Sequence, residues 1–207
     1  MVALLYVLLD LFWTYFRDGI WYLPLSSMIS GLVLSIVAIP APEWYLIFIF
    51  PLLAVASKQL IKFGKSHRHI FNPAAFSMMA LSFSGFPAVA WWAPSLANGE
   101  IGIVILSLIG IFILWRQNRW ETAVAFFLPY AAVFRALAFD GTVIFFTTVM
   151  LIEPMTSNFP GKFYKIIYGA LVAAVAIIVS VFGSVFPYDP LLTGLLLGNL
   201  LLSLWTS

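Results

Sequence analysis

The sequence predicts an all-α polytopic membrane protein, with about nine transmembrane helices in two inverted repeats and with broken or short helices near the midplane. Three observations predict it. Of 207 residues, 63% are hydrophobic and only 9% are charged, where a soluble domain carries about 25% charged residues. The apolar stretches are long and continuous rather than alternating, which requires helices and not a barrel. The Lys and Arg residues collect in alternate loops. With a mean hydropathy of +1.07, the polar side chains cannot coat a water-facing surface, so a soluble enzyme and a disordered chain are excluded. A nucleic-acid partner is excluded too, because the formal charge is only +2. The chain contains no Cys; it carries no disulfide, no thiolate nucleophile and no Cys-ligated cluster.

A span needs about 20 mostly apolar residues. That window gives segments near 2–16, 20–39, 45–61, 71–91, 101–115, 120–138, 139–153, 166–184 and 189–205. The first is read as a span rather than a cleaved leader, since it has no basic n-region and carries Asp10. Alternating the loops places Arg17, Lys58, Lys62, Lys65, Arg68, Arg116, Arg119, Lys162 and Lys165 on one side, and Arg135 alone on the other. The positive-inside rule makes the crowded side cytoplasmic, with the N-terminus outside and the C-terminus inside a plasma-type membrane. The seventh segment is short and bracketed by Asp140-Gly141 and Glu153-Pro154, which suits a broken or re-entrant helix. No linker interrupts the chain, so residues 1–207 form one membrane domain.

Two stretches look like copies of one another. Phe71-Asn72-Pro73 and Tyr188-Asp189-Pro190 each open a long apolar stretch with aromatic, Asn or Asp, and Pro. A weaker pair is Ser30-Gly31 before Pro40 and Asp140-Gly141 before Pro154. Repeat A covers roughly 1–91, a linking helix roughly 101–115, and repeat B roughly 120–205. Equivalent spans lie five crossings apart, an odd number, so the halves face opposite ways. Such repeats place a substrate or cofactor site at discontinuous helices near the midplane. Taken singly, Asn or Asp followed by Pro is the ordinary N-cap and N1 of a helix.

Ser57-Lys58-Gln59, with His69-Ile70-Phe71-Asn72-Pro73-Ala74-Ala75-Phe76 after it, resembles the signature of the NqrB/RnfD family of membrane subunits. These belong to the sodium-pumping quinone reductase and the Rnf electron-transport complex. Ser30-Gly31-Leu32-Val33-Leu34, Leu151-Ile152-Glu153-Pro154-Met155-Thr156-Ser157 and Gly194-Leu195-Leu196-Leu197-Gly198-Asn199 are similar to further family segments. The resemblance runs from about residue 26 to 200 and implies a urea-transporter-like fold with a flavin, FMN or riboflavin, held in the membrane. The family commonly attaches FMN to a Thr about ten residues before its Asp-Pro. Here Val143 stands at that spacing and Thr142 one place early. A valine has no oxygen for a phosphoester, so the implied flavin is non-covalent.

The candidate cofactor-binding set is Ser30, Gly31, Lys58, Phe71, Asn72, Pro73, Asp140, Gly141, Thr142, Glu153, Asp189, Pro190 and Asn199. Polar groups inside a bilayer are costly and therefore functional candidates; Asp10, Ser57, Thr147, Thr148 and Thr193 share that status. Asn72 and Asn199 each offer donor and acceptor to a flavin edge or a urea-like solute. Lys58, Lys65 and Arg68 would hold a phosphate on the cytoplasmic side, although snorkelling explains Lys58 equally well. Arg135 and Asp140 are read as an external ion pair. Two functions follow: a flavin-bearing electron-transfer subunit with redox partner subunits and coupled ion movement, or a transporter for a flavin or small polar solute in the same scaffold. A structural or assembly subunit is the blander third. A homo-oligomer is compatible with each, the bilayer is common to all, and no self-contained catalytic site or metal-ligand spacing is present.

Overall fold

The computed structural model describes residues 1–40, 43–63, 68–183 and 188–205. Ten helices account for nearly all of it. The first, α1 (Val2–Asp18), stops where Gly19 adopts a left-handed φ of 67° and donates its N–H to Tyr15 O, the usual glycine exit. Only Tyr6 and Asp10 of α1 are buried. Those two lie one turn apart on one face, while Leu8 and Phe12 point outward at 52% and 61% exposure. A carboxylate inside and phenylalanine outside inverts the soluble pattern, and it is the arrangement that a lipid solvent selects.

Helix α2 (Leu25–Val37) is short and gives way to extended backbone at Ala38. Its exposed ends are satisfied by a returning strand-like segment: Ile39 N–H donates to Ala88 O at 2.9 Å, and Ala90 and Trp91 N–H both donate to Val37 O at 3.0 Å. Non-helical backbone survives among apolar side chains only with such pairing. Helix α3 (Leu46–Leu60) carries Pro51 within it. A two-residue antiparallel pair, β1 (Lys62–Phe63) with β2 (Arg68–His69), then reverses the chain.

Helix α4 (Pro73–Phe83) starts with Pro at N1, and Asn72 Oδ1 accepts from Ala75 N–H at 3.0 Å. Asn72→Ala removes that acceptor and is expected to lower stability by about 1 kcal/mol, with Asn72→Asp close to wild type; thermal melts in detergent check both. The sequence predicts a span to residue 91, but the helix ends at Phe83. Gly85 there takes a φ of 87°, and Pro87 removes a donor. Residues 84–91 instead supply the partner of the α2 exit.

One turn, α5 (Trp92–Ser95), and a 3-10 turn (Leu96–Asn98) lead into α6 (Glu100–Gln117). Asn118, left-handed at φ 51°, separates α6 from α7 (Trp120–Phe134), which ends in a 3-10 turn (Arg135–Phe139). Helix α8 (Gly141–Phe145) runs into a π-helical turn (Phe146–Met150), in which Leu151 N–H reaches Phe146 O. Thr147 and Thr148 hydroxyls donate to Val143 O and Ile144 O at 2.7 Å, which loosens the ladder locally. Helices α9 (Gly161–Val181) and α10 (Pro190–Trp205) complete the chain. Among the described residues, three helical stretches are long and apolar enough to cross a membrane: Glu100–Gln117, Trp120–Phe139 and Gly161–Val181.

Helices α1 to α4 pack on one another, and α9 packs between α7 and α10. Small residues set the closest approaches. A Cβ at Gly169 would lie 2.3 Å from Thr122 O of α7, one at Gly194 2.7 Å from Val172 O of α9, and one at Gly198 2.5 Å from the Val172 side chain. Gly194 and Gly198 are four residues apart, so one face of α10 sits against α9 backbone. Close packing of this type replaces the hydrophobic effect as the association force in lipid.

Candidate functional site

Two polar clusters lie inside the helices. The first is built on Asp10, whose side chain is fully buried. It accepts from Tyr22 OH and Ser27 Oγ, from Lys58 Nζ at 3.0 Å and from Gln59 Nε2 at 2.7 Å. Lys58 Nζ also donates to Ser27 Oγ at 2.7 Å. Arg17 donates to Gln59 Oε1 at 2.6 Å and forks onto Asp18. Lys58 therefore neutralises a buried carboxylate of α1.

The second cluster surrounds Glu153, in the turn after the π-helical segment. Thr156 Oγ1 donates to Glu153 Oε2 at 3.1 Å, and Ser157 Oγ to the Glu153 carbonyl at 2.7 Å. His69 Nε2 faces Glu153 Oε1 at 4.0 Å. The carboxylate is within electrostatic range of Tyr6 on α1 and Tyr168 on α9. Ser30 adjoins the Tyr6 hydroxyl, and Tyr168 OH donates to Asn199 Oδ1 of α10. Arg119, buried at the start of α7, pins the same turn through Ser157 O at 2.9 Å and Asn158 Oδ1 at 2.7 Å.

Among the described residues, Tyr6 OH, His69 Nε2 and Asn199 Nδ2 are buried without a hydrogen bond of ordinary geometry. A buried polar group left unpaired costs about 1–3 kcal/mol, so each of the three stands out in a protein interior. The structure thus brings Ser30, Glu153 and Asn199 together, through Tyr6 and Tyr168.

The other candidates are engaged elsewhere. Asp140 caps α8 through Thr142 N–H at 2.7 Å, while Asn98 Nδ2 donates to its second oxygen and Gly141 N–H donates to Asn98 Oδ1 at 2.7 Å. That correction removes the expected Arg135–Asp140 ion pair: Asn98 and the helix start occupy the carboxylate. Gly141 is required because a Cβ would fall 2.4 Å from Pro94 O. Asp189 caps α10 through Leu192 N–H at 2.8 Å and accepts from Trp91 Nε1 at 2.7 Å, with Pro190 at the first helical position. Asn72 and Pro73 form the α4 cap, and Phe71 stacks on Phe76 with centroids 5.5 Å apart. Gly31 lets α2 approach the backbone of Ala3. Lys65 and His67 lie outside the described residues.

Tyr6, His69, Tyr168 and Asp10 carry more of the two sites than sequence reasoning assigned them. The spacing of Tyr6 and Asp10, one helical turn, is the signal that was present. Comparison with protein-family models and with curated protein sequences finds no match for this chain.

Proposed function

We propose that the chain is a membrane subunit that binds a flavin non-covalently and relays electrons along or across the bilayer, on a scaffold of two inverted repeats with about nine crossings. The observation that carries this reading is the group of buried atoms without a hydrogen bond among the described residues, Tyr6 OH, His69 Nε2 and Asn199 Nδ2, tied to Glu153 directly by His69 and at longer range through Tyr6 and Tyr168. The pyrimidine edge of a flavin alternates carbonyl acceptors with an imide N–H donor. Asn199 Nδ2 offers a donor, Glu153 an acceptor, and the Tyr6 hydroxyl and His69 either; these residues would hold the ring. A bound flavin supplies one- and two-electron chemistry. The protein's share is orientation and charge: Tyr168 fixes the Asn199 amide, Thr156 fixes the Glu153 carboxylate, and burial excludes water. The resemblance of Phe71-Asn72-Pro73-Ala74 to the NqrB/RnfD signature points the same way.

The inverted arrangement is supported by α4 and α10. Each begins at an Asn or Asp cap followed by Pro, and Phe83 at the end of α4 meets Tyr188 at the entry to α10, with centroids 4.5 Å apart. The two helices also pack against each other, and helices side by side with the end of one at the start of the other run in opposite senses, as an inverted repeat requires.

The test is a visible absorption spectrum of detergent-purified protein, repeated on supernatant and pellet after acid precipitation. A flavin band that leaves with the supernatant is expected. In Asn199→Leu its occupancy should fall by about tenfold, the equivalent of one lost hydrogen bond to a buried polar edge, while helicity is retained. A colourless wild-type protein would overturn the reading and turn attention to solute uptake in liposomes.

A further inference from the structure

We propose that the pocket between the ends of α1 and α3 binds a phosphate group presented at the membrane interface. The pocket has a volume of about 360 Å³ and is lined by Arg17, Tyr22, Lys58, Lys62 and His69 among others. It adjoins the proposed flavin edge site, with which it shares His69, but its cations are no part of that site and the proposal does not depend on that reading.

Three cations converge there, Arg17, Lys58 and Lys62, against the carboxylates of Asp10 and Asp18. The balance is one positive charge in excess. The cations are held in place from below. Lys58 is tied to Asp10 and Ser27, Arg17 to Asp18 and Gln59, and Lys62 to Gln59 at 3.5 Å. Gln59 is in turn fixed by Asp10. The donor inventory is not exhausted by these bonds: one N–H of Lys58, two of Lys62 and two of Arg17 stay free. Tetrahedral phosphate, with several acceptor oxygens and at least one negative charge, matches a set of fixed donors with unspent positive charge. Burial pushes the Lys62 ammonium below its ordinary value, and the neighbouring Arg17 adds repulsion; an anion in the pocket relieves both.

The surroundings place this pocket at an interface. Ile20, Trp21 and Leu60 beside it are 59%, 69% and 64% exposed, and Trp21 packs on Tyr15 with ring centroids 4.7 Å apart. Exposed apolar side chains beside a cationic pocket suit a phosphodiester whose acyl chains lie along α1. A soluble phosphate monoester, FMN among them, offers the same group without the chains.

The experiment is native mass spectrometry of the full chain, released from detergent after mixing with equal amounts of phosphatidylglycerol and phosphatidylcholine. A phosphatidylglycerol adduct is expected to dominate and to fall by about thirtyfold in Arg17→Gln/Lys62→Gln, since each of the two interfacial cations contributes about 1 kcal/mol of attraction. Arg116→Gln, which removes an exposed cation from the end of α6, should change nothing, and the single Lys62→Gln variant serves if the double variant fails to fold. A second arm adds inorganic phosphate, FMN or riboflavin. Displacement of the lipid by phosphate or FMN but not riboflavin identifies a soluble phosphate as an equal source; no displacement identifies the lipid. Equal retention of both lipids with no phosphate or FMN effect overturns the proposal, as does binding that ignores Arg17→Gln/Lys62→Gln. Flavin absorbance read on the same samples reports separately on the other site.

Discussion

Asp10→Ala should destabilise the protein by about 3–5 kcal/mol, the range found when one partner of a buried ion pair is deleted. The substitution strips four donors of their acceptor at once: Tyr22 OH, Ser27 Oγ, Lys58 Nζ and Gln59 Nε2. The worst of these is Lys58, whose side chain is only 13% exposed and would be left charged without its counter-ion, with Ser27 Oγ as its remaining acceptor. The pair itself is worth much less than its breakage costs, because desolvation offsets most of the attraction. Asp10→Leu combined with Lys58→Met should therefore recover most of the loss. Denaturant unfolding in detergent, followed by tryptophan fluorescence, measures Asp10→Ala and the cycle of wild type, Asp10→Leu, Lys58→Met and the double variant. An Asp10→Ala effect below about 1 kcal/mol, with no recovery in the double variant, would show that Lys58 swings out to water.

The same residues show what was legible in the sequence. Every segment picked by hydropathy contains a helix, because hydropathy is summed over neighbours in the chain and needs no tertiary partner. The ends were less legible. The stretch 71–91 is apolar throughout, yet Gly85 and Pro87 turn its last third into a strand-like return that only α2 explains. Site residues fared according to whether their partners were local. Asn72 and Asp189 are the caps that their following prolines announced. Asp140 is also a cap, but its second partner Asn98 lies 42 residues away. Lys58 was read equally as a phosphate ligand and as a snorkelling side chain, because Asp10, 48 residues away, gives no sign of facing it. Tyr6 and Tyr168 were hidden for another reason: in a chain with this many aromatics, a tyrosine reads as interface belt, and only burial shows that its hydroxyl is inside.

Gly169→Ala is expected to be the most damaging of the single-methyl additions, and the reason lies in what the methyl meets. At Gly198 the new Cβ would press on a methyl of Val172 and lie 3.3 Å from the Tyr168 ring, both side-chain atoms; at Gly169 it would lie 2.3 Å from Thr122 O and 3.1 Å from Phe126 N, both backbone atoms of α7. No rotamer change relieves that contact, so α7 and α9 must separate along a face where they pack extensively. Overpacking costs about 1–3 kcal/mol where side chains give way, and more where they cannot. Against it stands about 1 kcal/mol of helix propensity gained by replacing Gly. Gly169→Ala should thus lose about 3 kcal/mol or more and Gly198→Ala about 1 kcal/mol or less, measured as shifts of the denaturation midpoint in detergent. The consequence reaches the site, because Tyr168 is the preceding residue and its hydroxyl orients Asn199. Displacing α9 pulls that hydroxyl from Asn199 and from the neighbourhood of Glu153. Flavin occupancy should accordingly drop in Gly169→Ala even at temperatures where the variant stays folded, and drop less in Gly198→Ala, where only side chains must yield. Equal occupancy in both would detach the α9–α10 contact from the binding site and leave Glu153 with His69 and Tyr6 as its only determinants.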